Sequence, residues 1–283
     1  MKRAMTVIVT IVIFLGIIGA GGYYAYNKFF GTTEESANST NAIKTKSKTA
    51  DATAGVTLNN DGTEWVQVVS TGKVNKKVQD LSTADLVIYR IHNPKILKTV
   101  TSLTTAPQSM DTMMAKYPKS LIMNTSGFNM QTYAPIGLQI NRGTLISDWS
   151  SGSYGRNAFV VNKDGSTKLY SDATSAQTII NNGGEMSFSF GSIVIKNGKT
   201  YANDGSLNWK YHSLIGTDLN NNIYLIVTLH AVTYPKVMAQ LADLNLQNLI
   251  IMDGGGSSQL SYNGDKKWAS EDDRSVPDFI VLK

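Results

Sequence analysis

The sequence predicts a single α+β domain with a mixed, largely antiparallel sheet and a few helices, carried behind an N-terminal transmembrane helix. Three observations lead there. Between Thr63 and Lys283, short β-branched or aromatic runs alternate with Gly and Asn turn signals. Only two stretches carry helix start signals. Ahead of them, Met5 to Tyr26 is an almost uninterrupted apolar run without a charge.

That apolar run is about the length a helix needs to cross a bilayer. Lys2 and Arg3 precede it and Tyr23, Tyr24 and Tyr26 end it, which places the amino terminus in the cytoplasm and the remaining chain outside. The run is longer than the ~7–15-residue core of a cleaved signal peptide. Residues 1–30 are therefore expected to be a cytoplasmic stub and signal-anchor, although Gly19-Ala20-Gly21-Gly22 would suit a cleavage site. Residues 31–62 are rich in Thr, Ser, Asn, Ala and Lys and nearly free of large apolar side chains, as a flexible linker would be. Residues 63–283 form the expected domain.

Within it, strands are expected at Trp65 to Val69, Leu86 to Ile91, Leu121 to Met123, Ala158 to Val161, Ile193 to Ile195, Ile223 to Leu229, Leu249 to Met252 and Phe279 to Leu282. Asp164-Gly165, Asn197-Gly198 and Asn263-Gly264 mark hairpin turns. One helix is expected from Pro107 to Tyr117, with Thr105 near its cap, and another from Pro235 to Leu244. Mixed elements of this kind point to one core around a sheet.

Composition narrows the function. The 283 residues are 42% hydrophobic and 17% charged, as in a globular chain. With no cysteine there is no disulfide framework, thiol nucleophile or cysteine-ligated metal. The net charge of +5 divides into 6 basic and 4 acidic residues before Thr63 and 20 and 17 after it. No Lys/Arg block with interleaved aromatics is present, so nucleic acid is not an expected partner, whereas mild basicity suits anionic envelope polymers. An anchored, cysteine-free chain suits the cell membrane of a Gram-positive bacterium, with its C-terminal domain extracellular.

One stretch stands out chemically. Leu249-Ile250-Ile251-Met252 reads as a buried strand, and it ends on Asp253, Gly254, Gly255, Gly256, Ser257 and Ser258. A carboxylate at a strand end, followed by three glycines whose N–H groups can approach a bound group, is the pattern of a site. Alternatively it is a permissive turn with a capping Asp. It is not a dinucleotide fingerprint, because Gln259 to Gly264 reads as another strand and not as a helix. It is not a nucleophile elbow, because Gln259 stands where the second glycine belongs. No Lys follows the glycines as in a phosphate loop. No metal-ligand spacing accompanies it, and no cofactor is expected.

Met252-Asp253-Gly254-Gly255-Gly256-Ser257-Ser258 resembles the Leu-Asp-Gly-Gly-Gly-Ser-Ser/Ala signature of the phosphodiester glycosidase family. Asn124-Thr125-Ser126-Gly127-Phe128-Asn129-Met130 is similar to that family's Asn-Ala/Gly-Gly-Phe-Phe-Asn segment, matching at Asn124, Phe128 and Asn129. Arg156-Asn157-Ala158 and Arg274-Ser275-Val276-Pro277 follow in family order, and the resemblance spans most of Thr63 to Lys283. In two places the chain departs: His212-Ser213-Leu214-Ile215-Gly216 stands where the family has Arg-Thr-Ala-Ile-Gly, and Thr228-Leu229-His230 where it often has Asp-Gly-Arg. A histidine is a cation only when protonated.

The resemblance implies hydrolysis of a sugar-1-phosphodiester bond in a glycosyl phosphodiester or anionic envelope polysaccharide. Phosphate leaves as a stable anion, so one carboxylate can suffice, and Asp253 is the expected nucleophile, base or stabiliser of an oxocarbenium-like transition state. Asn124, His212 and His230 would complete the catalytic set. Arg156, Arg274, Phe128, Asn129 and the Gly254 to Ser258 turn would bind substrate. The alternative is a non-catalytic carbohydrate or phosphopolymer-binding module on the same fold. Residues 63–283 produced alone are expected to unfold in one cooperative transition; a broad, probe-dependent transition in urea would place the boundary elsewhere.

Overall fold

The structure, a computed structural model, describes residues 57–58, 64–68, 76–201 and 210–283, all within one compact unit, Asp51–Lys283. The expected signal-anchor and most of the expected linker lie outside the described residues. No helix among the described residues is long and apolar enough to cross a membrane.

Strands, numbered in chain order, make three sheets. The first has the order β1 (Thr57–Leu58), β2 (Glu64–Gln67), β5 (Lys95–Lys98), β19 (Phe279–Leu282), β6 (Leu121–Asn124), β17 (Gln259–Tyr262) and β18 (Asp265–Ala269). The second runs β10 (Thr167–Ser171), β9 (Asn157–Asn162), β11 (Gly184–Ser189), β7 (Gln139–Asn141) and β8 (Thr144–Ser147). The third runs β13 (Lys199–Thr200), β12 (Ile193–Lys196), β16 (Asn248–Met252), β14 (Ser213–Thr217), β15 (Asn222–Thr228), β4 (Leu86–His92) and β3 (Val78–Asp80).

The single mixed sheet expected from sequence is corrected to these three, and every described ladder is antiparallel. Tight connections are the reason, since a parallel pair needs a crossover of about a dozen residues or more. Asn197 and Gly198, at φ 52° and 73°, turn β12 into β13, and Asn263 and Gly264, at φ 55° and 75°, turn β17 into β18. Both central residues at positive φ give the twist that a two-residue hairpin requires. Asp164-Gly165 likewise lies between the paired strands β9 and β10.

Each sheet buries both faces. Ile223, Leu225 and Val227 of β15, Leu121 and Met123 of β6, and Phe159 and Val161 of β9 point into one core shared by all three sheets. The alternate residues point outward, where one short helix covers each sheet. Helix α1 (Met110–Lys116) packs Met110 and Met113 against Ile122 and Phe279. Helix α2 (Ala176–Asn181) packs Ile179 against Ala158 and Val160, and α3 (Tyr234–Leu241) packs Val237 and Leu241 against Tyr224 and Ile226.

Two helix boundaries differ from expectation. The first helix starts after Pro107, because Gln108 is held extended by a two-way backbone bridge to Val276, and Ser109 caps the helix through Thr112 N. The second ends at Leu241 and continues only as a 3-10 turn, Ala242–Leu244.

A fully buried ion pair ties the first sheet to the shared core. Lys98 Nζ donates to Asp278 Oδ2 at 2.5 Å and lies 4.5 Å from the centre of the Phe188 ring in β11. Burial pulls the Lys98 pKa below its usual value, against the attraction of Asp278. Removing one partner of such a pair strands the other charge. Lys98→Ala is therefore expected to cost about 3–5 kcal/mol in urea unfolding, and Lys98→Met with Asp278→Leu to recover most of it. An equal loss in the double variant would show that packing, and not the stranded charge, sets the cost.

Candidate active site

Strand β16, buried on both faces, delivers Asp253 at its carboxyl end beside the turn Gly255–Ser257. The sequence after it is dictated by crowding. A Cβ at Gly254 would stand 2.7 Å from the Tyr211 carbonyl oxygen, and that carbonyl accepts from Gly255 N at 2.8 Å. Gly255 has φ +58°, which admits glycine most readily.

Asn124, at the end of β6, holds this turn from the neighbouring sheet. Its Nδ2 donates to the Asp253 carbonyl at 2.6 Å, and its Oδ1 accepts from Gln259 N at 3.0 Å and Ser213 Oγ at 2.9 Å. The next carbonyl, of Thr125, accepts from Asp253 N at 2.7 Å. Asn124 is only 1% exposed and both ends of its amide are bonded within the protein, so its part in the expected catalytic set is to position Asp253. Ser258 is similarly occupied, donating to the Tyr211 carbonyl at 2.7 Å.

Asp253, Gly254, Gly255 and His212 line one cleft of about 510 Å³ together with Tyr154, Asn157 and Ser192. His212 enters it from the residue before β14. Its backbone N donates to Thr228 Oγ1 at 2.8 Å, and its Nδ1 lies 3.3 Å from the Lys210 carbonyl. Of the other expected cations, Arg274 lies against Gly256 of the same turn without lining the cleft, and His230 and Arg156 lie outside the cleft. His230 Nε2 meets Asp85 Oδ1 at 2.8 Å, in a cluster with Lys236 and Gln240 that fastens α3 to the third sheet. Arg156 pairs with Asp172 at 2.5 Å, and Arg274 pairs with Asp272 at 2.5 Å while its Nη1 approaches Met130 Sδ at 3.3 Å. Neither arginine lines the cleft.

Phe128 belongs to the outer core of the first sheet and stacks on Tyr133, with ring centres 5.9 Å apart. Asn129 Oδ1 accepts from Gln131 N and Thr132 N, closing an exposed turn. Sequence reasoning missed Tyr154, Ser192 and the side chain of Asn157 as cleft residues. The Ser-Gly stretch around Tyr154 carries no signal beyond that of a loop.

The Asp253 carboxyl is half-buried, with its edge on the cleft and protein around the rest. Desolvation raises its pKa from 3.8 to about 6, against hydrogen bonds from the Ser257 hydroxyl and Gly254 N–H and the more distant charge of Arg274. The folded state therefore keeps this proton while the unfolded chain releases it. Stability on this account falls as pH rises from about 4 to about 6, by roughly 3 kcal/mol in all. Asp253→Asn is expected to be more stable than the parent by roughly 2–3 kcal/mol at pH 7, with the gap closing below pH 4. Urea unfolding at the two pH values checks this; a gap independent of pH would mean that burial does not strain the carboxylate.

A family model described as phosphodiester glycosidase matches residues 119–283, more than half of the chain. Among solved structures, the chain is similar to the catalytic domain of zebrafish N-acetylglucosamine-1-phosphodiester alpha-N-acetylglucosaminidase, auto-inhibited by its pro-peptide. That likeness has 18% identity over 80% of each chain and a TM-score of 0.55. It is also similar to a hypothetical protein from Synechocystis, at 13% identity over 81% of this chain and 64% of that one, with a TM-score of 0.50. At these identities the two structures show a shared fold. No curated protein matches. The Asp-Gly-Gly-Gly-Ser-Ser turn and the Asn124 segment that holds it both fall inside the matched region, and the chain belongs to the phosphodiester glycosidase family.

Proposed function

We propose that the protein is an extracytoplasmic glycosidase that cleaves a sugar-1-phosphodiester bond, with Asp253 as its reacting carboxylate. The observation that carries this is the placement of a half-buried carboxylate, with its pKa raised to about 6, on a 510 Å³ cleft beside His212 and the Gly254–Gly255 backbone. The bond between C1 and the phosphate oxygen breaks with its electron pair going to phosphate. Water then supplies a hydroxyl to C1 and its proton goes to the medium or to the departing phosphate. Because phosphate is a stable leaving anion, the ionised carboxylate is the form required, facing the positive charge that develops at C1. His212, which lines the cleft, is the candidate donor to a phosphate oxygen.

The anchor and linker expected from sequence would hold this domain outside the membrane, within reach of envelope polysaccharide. N-acetylglucosamine, the sugar in the name of the zebrafish enzyme, is the first to test. One observation favours the non-catalytic binding module instead: of the four cationic candidates only His212 lines the cleft, so phosphate recognition is lean.

The experiment is release of free sugar from a chromogenic N-acetylglucosamine-1-phosphodiester by the full chain. Asp253→Asn is expected to lower turnover by roughly 10³-fold or more, as for other residues that act directly at the reacting centre. In the parent, kcat/KM is expected to fall as pH drops through about 6, where Asp253 takes up its proton. Sugar binding without turnover at any pH would establish the binding module.

A further inference from the structure

The cleft that holds Asp253 also holds a rigid aromatic pair. Tyr154 is 58% exposed, yet its ring lies stacked on Phe190 with centres 4.7 Å apart and planes within 2°. An exposed tyrosine in a Ser-Gly loop would ordinarily sample several rotamers in water. Here the loop is tied down: Gly155 N donates to the Phe190 carbonyl at 2.6 Å. Phe190 in turn presses on Gly127, where a Cβ would stand 2.0 Å from its ring. Gly127 is fixed by its N–H to the Ser189 carbonyl and its carbonyl to Ile136 N. The stack thus rests on the same Asn124 to Met130 segment that fixes Asp253 through Asn124 and Thr125.

Phe190 takes one face of Tyr154, and the high exposure leaves the other face open. Polar groups border it. Asn157, whose Nδ2 donates to the Gly191 carbonyl at 3.2 Å, and Ser192 line the same cleft. A ligand suited to such a surface has a flat apolar face and a hydroxylated edge, which is the description of a pyranose ring. A preordered aromatic face also loses little freedom on binding.

We propose that the Tyr154–Phe190 stack is a sugar subsite. The C–H face of the hexose lies on Tyr154, and its edge hydroxyls meet Asn157 and Ser192. This rests on the glycosidase reading for the identity of the ligand, and it makes Tyr154 a determinant of sugar specificity and not of chemistry.

The test is calorimetric binding of glucose 1-phosphate, N-acetylglucosamine 1-phosphate and glycerol 1-phosphate to the full chain, with melting curves of each variant. Tyr154→Ala is expected to weaken both sugar phosphates about tenfold while leaving glycerol 1-phosphate unchanged, because only the sugars have a ring to stack. Tyr154→Phe is expected to bind like the parent. On a turned-over phosphodiester the Ala variant should raise KM with kcat retained. Sugar affinity unchanged in Tyr154→Ala, equal loss for glycerol 1-phosphate, or a Phe variant as weak as Ala would each overturn the subsite. Turnover that ignores Tyr154 sinks the subsite alone, whereas ring-dependent sugar binding with no turnover sinks the glycosidase reading alone. A parent that binds neither sugar phosphate overturns both.

Discussion

The side-chain amide of Asn124 is the constraint on which the site depends. Its two ends tie its own strand β6 to three other segments: the start of β14 through Ser213, the residue after β16 through the Asp253 carbonyl, and the start of β17 through Gln259 N. Those segments belong to two sheets, and strand ends from separate sheets have no ladder to hold them in register. An amide can do this because it donates at one end and accepts at the other. A carboxylate in its place would lose the donor toward Asp253, and an aliphatic side chain would leave Gln259 N buried without this acceptor.

This arrangement also explains where the energetic cost of the site falls. Asp253 is kept partly out of water by the same packing that fixes it, so the group most suited to face a developing positive charge is also the one the folded state holds at a disadvantage. A large, dry, three-sided core absorbs that disadvantage. Its strands are apolar on both faces because each sheet is enclosed between the common core and its own helix.

That enclosure determines what could be read from the sequence. Leu249 to Met252 and Ile223 to Val227 announce themselves as buried strands, but a strand buried on both faces has no alternating pattern to say which sheet it joins. The division into three sheets was accordingly not legible, and neither was the short helix from Ala176, whose cap at Ser175 lies within a run of small residues. Asp253 was legible because three glycines beside a carboxylate are rarely needed for a turn alone. Asn124 was legible as a residue, but the partners of its amide were not, since they lie about ninety or more positions away. Arg156 and Arg274 read as substrate contacts, and in the structure each pairs with an aspartate, 16 and 2 residues away respectively. Tyr154 left no trace in the sequence, because its partner Phe190 comes from the far side of three strands and a helix.

The position of β19 has a consequence for how the molecule is made. This strand lies in the middle of the first sheet, between β5 and β6, although it follows every other strand of that sheet in chain order. Until it arrives, β5 and β6 each keep an open hydrogen-bonding edge beside an unfilled apolar layer. A chain in which β19 has not yet inserted therefore presents two sticky edges that invite pairing with other chains. Mispairing at those edges is a hazard of the incomplete sheet, separate from the stability of the finished domain.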